Sequence, residues 1–257
     1  MTGAGTIDLN CDLGEGYGPW RMGEDDALLD IVTSANIACG FHAGDPAIMR
    51  RTVKSAAERA ISIGAHVSYP DLQGFGRRHV ERSVEELSAD VLYQLGALDA
   101  LAIAAGSRVA YVKPHGALYN EMAVDPDLAR TVVTAVLSYR DDLPLLCMPG
   151  SATEEVARST GLPFYSEGFA DRAYDAQGRL VARRLPGAVL TDPAEVSSRA
   201  VRMAAGGTVR TTDGAELSLH IDTLCVHGDT PGSVELARAV RRSLEEAGLQ
   251  MRSFING

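Results

Sequence analysis

The stretch Val32-Thr33-Ser34-Ala35-Asn36-Ile37-Ala38-Cys39-Gly40-Phe41-His42-Ala43-Gly44-Asp45-Pro46 contains one full turn of the pattern that organises the chain. Val32–Ala38 is a short, largely apolar run that reads as a strand. A polar, glycine-flanked cluster follows it. Asp45-Pro46 then opens a helix, because an aspartate oxygen can accept an orphan N–H while proline's fixed φ suits the first helical position.

The same unit recurs in both directions. Further strand candidates are Thr6–Asn10, Ile61–Val67, Arg108–Lys113, Leu143–Met148, Pro163–Glu167 and Ile221–Val226. Asp125-Pro126, Asp192-Pro193 and Thr230-Pro231 repeat the helix-start signal, and Ser83 with Glu86 makes a capping box. From there Val84, Leu87, Val91, Leu95, Leu98 and Ala102 keep to one helical face until Gly106. Seven rounds of strand and helix predict a parallel sheet with helical crossovers, either a closed barrel or an open doubly wound sheet. No Pro/Ser-rich linker divides the chain, so residues 1–257 are expected to form a single domain. A β-hairpin is expected near 208–219, around Asp213-Gly214. Gly168–Val189 lacks a periodic pattern and reads as a binding loop, lid or small hairpin.

Composition narrows the function. Of 257 residues, 24 are Lys or Arg and 34 are Asp or Glu, a net charge of −10. A nucleic-acid backbone binder would show a basic surplus or stripe, so nucleic acid is not an expected partner. No apolar run reaches membrane-spanning length, and Met1–Thr6 lacks the features of a secretory signal. Cys11, Cys39, Cys147 and Cys225 are widely spaced without a C-x-x-C, which reads as four reduced thiols. The expected location is the cytoplasm, with no membrane partner.

Polar residues gather after the strand candidates. The first leads into Asn10, Asp12 and Glu15; the second into Asn36, His42 and Asp45; the third ends in His66 and continues to Arg77-Arg78. The fourth gives Lys113, His115 and Asn120, the sixth Glu167, Asp171 and Arg172, and the seventh His227 and Asp229. In parallel α/β folds these strand ends share the ligand-binding face. Convergence from every part of the chain favours a barrel over an open sheet.

Three chemistries fit those residues. General acid/base catalysis would use Asp12 or Glu15 to activate water, Lys113 to neutralise developing negative charge, and His42, His66 and His115 to move protons. A catalytic metal would be held by Asp12, His42, His66 and His115, although no local H-x-x-x-H spacing supports it. A Cys39 or Ser68 nucleophile has no accompanying signature. There is no Walker A loop; Arg77-Arg78, Arg172, Arg183-Arg184 and the N–H groups of the helix after Asp45 are the candidate anion contacts.

The motifs Ile7-Asp8-Leu9-Asn10 through Glu15, Ser34 through Asp45, Lys113-Pro114-His115-Gly116-Ala117-Leu118-Tyr119-Asn120, Phe169-Ala170-Asp171-Arg172-Ala173-Tyr174 and His227-Gly228-Asp229 together resemble the LamB/YcsF family. The likeness runs from Ile7 to about Gly232. Three positions depart from it: Val67 and Ala182 stand where prolines are expected, and Gly168 where a larger apolar residue is. The resemblance implies a distorted (β/α)7 barrel similar to that of polysaccharide deacetylases. It also implies ATP-dependent opening of the 5-oxoproline lactam to L-glutamate, in the A-subunit role of a bacterial 5-oxoprolinase together with subunits B and C. ATP, with Mg²⁺, would be a co-substrate, and no organic cofactor is expected.

From position, the catalytic candidates are Asp12, Glu15, His42, His66, Lys113 and His115. Substrate or nucleotide contacts are expected from Asn10, Asn36, Asp45, Arg77, Arg78, Asn120, Asp171, Arg172, His227 and Asp229. Two other readings stay open at this stage: a metal-dependent amide or carbohydrate deacetylase, and a non-catalytic binding subunit of a hydrolase complex.

Overall fold

A computed structural model of the chain describes residues 5–228 and 232–256. Its elements, in chain order, are β1 (Thr6–Leu13), α1 (Asp25–Leu29), β2 (Ser34–Ala38), α2 (Pro46–Glu58), β3 (Ser62–His66), α3 (Val84–Ala104) and β4 (Val109–Val112). There follow α4 (Gly116–Met122), α5 (Pro126–Tyr139), β5 (Leu145–Cys147), α6 (Ala152–Thr160), β6 (Phe164–Phe169) and α7 (Pro193–Ala204). The chain closes with β7 (Thr208–Arg210), β8 (Glu216–Ser218), β9 (Thr223–Val226), α8 (Ser233–Glu246) and β10 (Gln250–Met251).

Strands β1 to β6 and β9 are all parallel, and β9 pairs with both β6 and β1, closing a seven-stranded barrel. The two-residue β10 adds to the start of β1, Thr6 opposite Gln250. β7 and β8 form a separate antiparallel hairpin, Thr208 opposite Ser218. Each of the seven expected strands has its counterpart in the barrel. The first expected boundary is corrected: β1 runs on through Leu13, so Cys11 and Asp12 belong to the strand, not to the loop after it.

That longer β1 explains the barrel's unusual interior. Ile7, Leu9, Cys11 and Leu13 alternate with Asp8, Asn10 and Asp12, and side chains of a strand point to opposite faces in turn. The apolar set joins the main hydrophobic core. The polar set meets side chains of other strands: Asn10 Nδ2 donates to Thr223 Oγ1 (2.7 Å) and Asn36 Nδ2 donates to Asn10 Oδ1 (2.7 Å) and Asp12 Oδ1 (2.9 Å). The lumen is therefore a hydrogen-bonded polar column wrapped in an apolar layer.

The helix starts follow their caps. Asp45 accepts from Ala47 N and Ile48 N, Asp125 from Asp127 N and Leu128 N, and Asp192 from Ala194 N, each cap typically contributing about 1 kcal/mol. Ser83 and Glu86 close the capping box, and Leu87, Val91, Leu95, Leu98 and Ala102 bury one face of α3 beside α2 and α5. Val84, expected on that face, is 64% exposed because it is the first helical residue, ahead of the packed turns. Among the described residues α3 is the one helix long and apolar enough to cross a membrane, but one of its faces is packed into the core. The expected cap at Thr230-Pro231 lies outside the described residues.

Candidate active site

The C-terminal ends of the barrel strands open into a cleft of about 450 Å³, lined among others by Asp12, His66, Lys113, His115, Phe169 and His227. Two polar groups meet at its floor.

The first is centred on Lys113, the residue after β4. Its Nζ lies 2.9 Å from Asp12 Oδ1, 2.8 Å from Glu167 Oε1 on β6 and 3.1 Å from Cys225 Sγ on β9. Burial alone would drive this ammonium toward its neutral form. Asp12 and Glu167 outweigh that, so the Lys113 pKa lies well above its ordinary value. Burial likewise pushes the Asp12 carboxyl up, but His66 and Lys113 hold it well below the usual carboxylate range. At neutral pH Lys113 and Asp12 are therefore fixed opposite charges, not proton carriers.

The second group is three histidines with Glu15. His66 ends β3, His42 sits in the loop between β2 and α2, and His115 is the N-cap residue of α4. Glu15, just beyond β1, places Oε1 3.3 Å from His42 Nε2, 3.5 Å from His115 Nδ1 and 3.9 Å from His66 Nε2. His42 and His115 stack at 3.9 Å with their planes 5° apart, and His66 meets His115 edge-on. Burial, reinforced by the neighbouring imidazoles, holds His42 and His115 well below the ordinary histidine pKa, so both are neutral at pH 7. These rings are the groups able to accept a proton from water.

The loop that carries Arg77 locks this arrangement. Phe75 adopts a left-handed φ of 55°, an unusual conformation for a large side chain, and its carbonyl accepts from His115 Nε2 (2.9 Å). Gly76 follows at φ 64°; a Cβ there would lie 2.8 Å from both His42 Cβ and His115 Cδ2, so glycine is required by conformation and by space.

A third pair lies at the wall. His227 Nδ1 is 2.8 Å from Asp171 Oδ2, and the His227 ring stacks on Phe169. Burial raises the Asp171 carboxyl, yet His227 and Arg172 bring it below its ordinary value.

The structure redistributes the expected residues. Asn10 and Asn36 are fully buried beneath Lys113, where they build the polar column. Asp45 is the cap of α2 and also accepts from Gly18 N (2.8 Å), so it serves the loop. Arg78 turns back onto Asp71, leaving Arg77 to line the cleft. Arg172 is buried and donates to the carbonyls of Ala188 and Val181, so it braces the loop after β6 while lining the cleft wall. Asn120 lines the cleft with its amide on Gly116 O, and Asp229 lies outside the described residues. The expected four-ligand grouping also changes: Glu15, not Asp12, joins the three histidines, while Asp12 is committed to Lys113 and touches only His66 of that set, at 3.3 Å.

Cys225 and Asp8 were not among the expected site residues, and Glu167, placed on the ligand-binding face by its strand end, was given no role there. Asp8 was open to detection through the strict polar–apolar alternation of β1. The rejected nucleophiles gain nothing, since burial pushes the Cys39 thiol up to about 12 and Ser68 Oγ has no hydrogen-bond partner. At the three unusual positions, Val67 is buried in the core, Ala182 lines the cleft, and a Cβ on Gly168 would crowd the flexible tips of Met203 and Ile221.

Relatives agree with this architecture. The chain is 55% identical to the A subunit of 5-oxoprolinase from Mycobacterium avium (strain 104), covering 96% of this chain and 98% of that one. It is 54% identical to the protein of the same name from Acinetobacter baumannii (strain AB307-0294), over 97% and 98% of the two chains. The crystal structure of a lactam utilization protein from Thermus thermophilus superposes with a TM-score of 0.92 at 46% identity, covering 97% of this chain and all of that one. The LamB/YcsF family model matches residues 7–256, and this chain belongs to the LamB/YcsF family.

Proposed function

We propose that this chain is the A subunit of an ATP-dependent 5-oxoprolinase and that the cleft binds the lactam for hydrolysis to L-glutamate. The observation that carries the reading is a fixed Asp12–Lys113–Glu167 charge array set directly beside neutral, buried imidazoles. The names of the relatives support the substrate and an enzyme of several different chains, with subunits B and C as the proposed partners.

An unactivated lactam is a poor electrophile, which gives ATP a chemical purpose. In the proposed sequence the lactam oxygen attacks the γ-phosphorus and ADP leaves. Water then adds to the activated carbon, losing a proton to a general base among the carboxylates and imidazoles of the cleft floor. The ring C–N bond breaks as the amine takes up a proton, and a second water hydrolyses the resulting acyl phosphate to glutamate and phosphate. Lys113 would hold its ammonium toward the oxygen that gains charge. Arg77, Arg183 and Arg184 line the cleft mouth, where guanidinium groups suit phosphate oxygens.

The test is oxoproline-dependent ADP release by the complex assembled with subunits B and C, comparing Asp12→Asn, His42→Ala and Lys113→Ala. Loss of turnover with assembly intact is expected. Near-normal turnover in all three variants would overturn the reading.

A further inference from the structure

We propose that the chain binds one divalent transition-metal cation between His66 Nε2, His115 Nδ1 and the Glu15 carboxylate. His42 acts as the residue that orients Glu15.

The argument begins with tautomers. His66 Nδ1 lies 2.9 Å from the Lys113 carbonyl and His115 Nε2 lies 2.9 Å from the Phe75 carbonyl. A carbonyl oxygen can only accept, so both of these outer nitrogens carry hydrogen. The inner nitrogens, His66 Nε2 and His115 Nδ1, face each other at 2.9 Å. In neutral rings both would be bare, and two lone pairs at that distance repel. Either an extra proton or a metal ion must sit between them. Both rings are buried, and burial works against adding a charge in the form of an extra proton. A metal ion suits the site, and an imidazole whose other N–H is fixed by a backbone carbonyl is the usual preparation of a ligand histidine.

The distances agree. Two ligands each about 2.1 Å from a metal are separated by about 3.0 Å at a right angle and about 3.4 Å at the tetrahedral angle. Here the separations are 2.9 Å between the two ring nitrogens, and 3.5 and 3.9 Å from them to Glu15 Oε1. His42 plays a different part. Its ring is parallel to His115 at 3.9 Å, so no point lies in the plane of both rings, and one ion cannot take both in-plane lone pairs. Its Nε2 is instead 3.3 Å from Glu15 Oε1, and its buried Nδ1 has no hydrogen-bond partner, as expected if Nε2 carries the proton and donates to Glu15. The nearest other carboxylate oxygen is Asp12 Oδ2, 3.3 Å from His66 Nε2. Two imidazoles and a carboxylate suit a first-row ion such as Zn²⁺, and three protein ligands leave a position for water or a substrate oxygen.

The proposal concerns the pocket of the proposed lactam chemistry but needs neither lactam nor nucleotide. It is therefore tested separately, on the isolated full chain. The chain is stripped with a chelator, dialysed against Co²⁺, and read by elemental analysis and the visible ligand-field band. One Co²⁺ per chain is expected, with affinity at least tenfold lower in Glu15→Gln and in His115→Ala. Should His115→Ala fail to fold, the isosteric Glu15→Gln still decides. Cys225→Ser, which alters the neighbouring Asp12–Cys225–His227 cluster, should leave Co²⁺ uptake unchanged. No saturable uptake, together with a strongly downfield imidazole proton in the metal-free chain, would mean that His66 and His115 share a proton and would overturn the proposal. So would loss of uptake in Cys225→Ser alone.

Discussion

Asp8 and Asp12 lie four residues apart on the same strand, project into the same lumen and are both buried, yet their carboxyls are shifted in opposite directions. Asp8, at the closed end, receives the hydroxyls of Thr33 and Ser34, each at 2.6 Å, and that of Thr223. Burial dominates there, Glu167 adds repulsion, and the carboxyl is pushed up to about 6 despite the three hydroxyls. Asp12, at the open end, meets Lys113 and His66 and is held below its usual range. Hydroxyl dipoles alone do not offset the desolvation of a buried carboxylate, whereas a cation at 2.9 Å does. One end of the barrel is thus built for closure and the other for holding charge.

Removing the cation should break the contrast most severely. Lys113→Met leaves Asp12 and Glu167 buried without their ammonium. Unfolding in urea should show a loss of about 3–5 kcal/mol, the usual cost of stripping one partner from a buried ion pair. Turnover of the assembled enzyme should fall by about 10²–10³-fold, since a preorganised charge at the reacting oxygen is lost. An unchanged unfolding midpoint would show that the two carboxylates are not held as described.

Next in size is the pH dependence written into Asp8. Its folded pKa is raised, so its contribution to stability is fully present below the unfolded value near 3.8 and is lost as pH rises through about 6. Between pH 4 and pH 7 the wild type should therefore lose about 2 kcal/mol relative to Asp8→Asn: the whole shift is roughly two pKa units at 1.36 kcal/mol each, and a small part of it is already lost by pH 4. Urea unfolding of both proteins at pH 4, 5, 6 and 7 measures the difference. Parallel curves would mean that Asp8 titrates normally in the folded chain.

Gly76→Ala probes the open end without altering a charge. A left-handed alanine costs about 1–2 kcal/mol, and its Cβ would press on His42 and His115. A displacement approaching 1 Å at the reacting groups is enough for about a 10²-fold loss of turnover. The expected signature is a modest fall in melting temperature with a much larger fall in activity. Equal proportional losses would place these histidines outside the chemistry.

The difference between the two ends also explains what could be read from sequence. The strands were legible because apolar runs and Asp-Pro or Ser-x-x-Glu helix starts are local signals, and local signals survive without tertiary information. Ionisable residues clustered after strands located the open end. Their pairing was not legible: whether Arg77 or Arg78 faces the cleft depends on Asp71 capturing one of them. Whether Asp12 or Glu15 joins the histidines depends on the chain turning at Gly14, whose φ is 69°. Asn10 and Asn36 looked like ligand contacts because type and position suggested it, but the barrel's closure drew them beneath Lys113. Asp8 escaped notice although its alternation with Leu9 was visible, because a closed-end carboxylate belongs to no catalytic pattern.

The smallest expected effect refines the closed end itself. Thr33 Oγ1 donates to Asp8 Oδ1 and also accepts from Leu9 N (2.9 Å), so Thr33→Val removes two interactions with different pH behaviour. Loss of the acceptor for Leu9 N–H should cost a constant amount at every pH. Loss of the donor to Asp8 matters chiefly while the carboxyl is ionised, adding about 1 kcal/mol at pH 7 and fading toward pH 4. With one fewer hydroxyl the Asp8 pKa should also move further up, shifting the decline in stability to higher pH than in the wild type. A Thr33→Val penalty that is flat from pH 4 to pH 7 would assign the hydroxyl's value to the backbone, and Asp8 would then be governed by Ser34 and Thr223 alone.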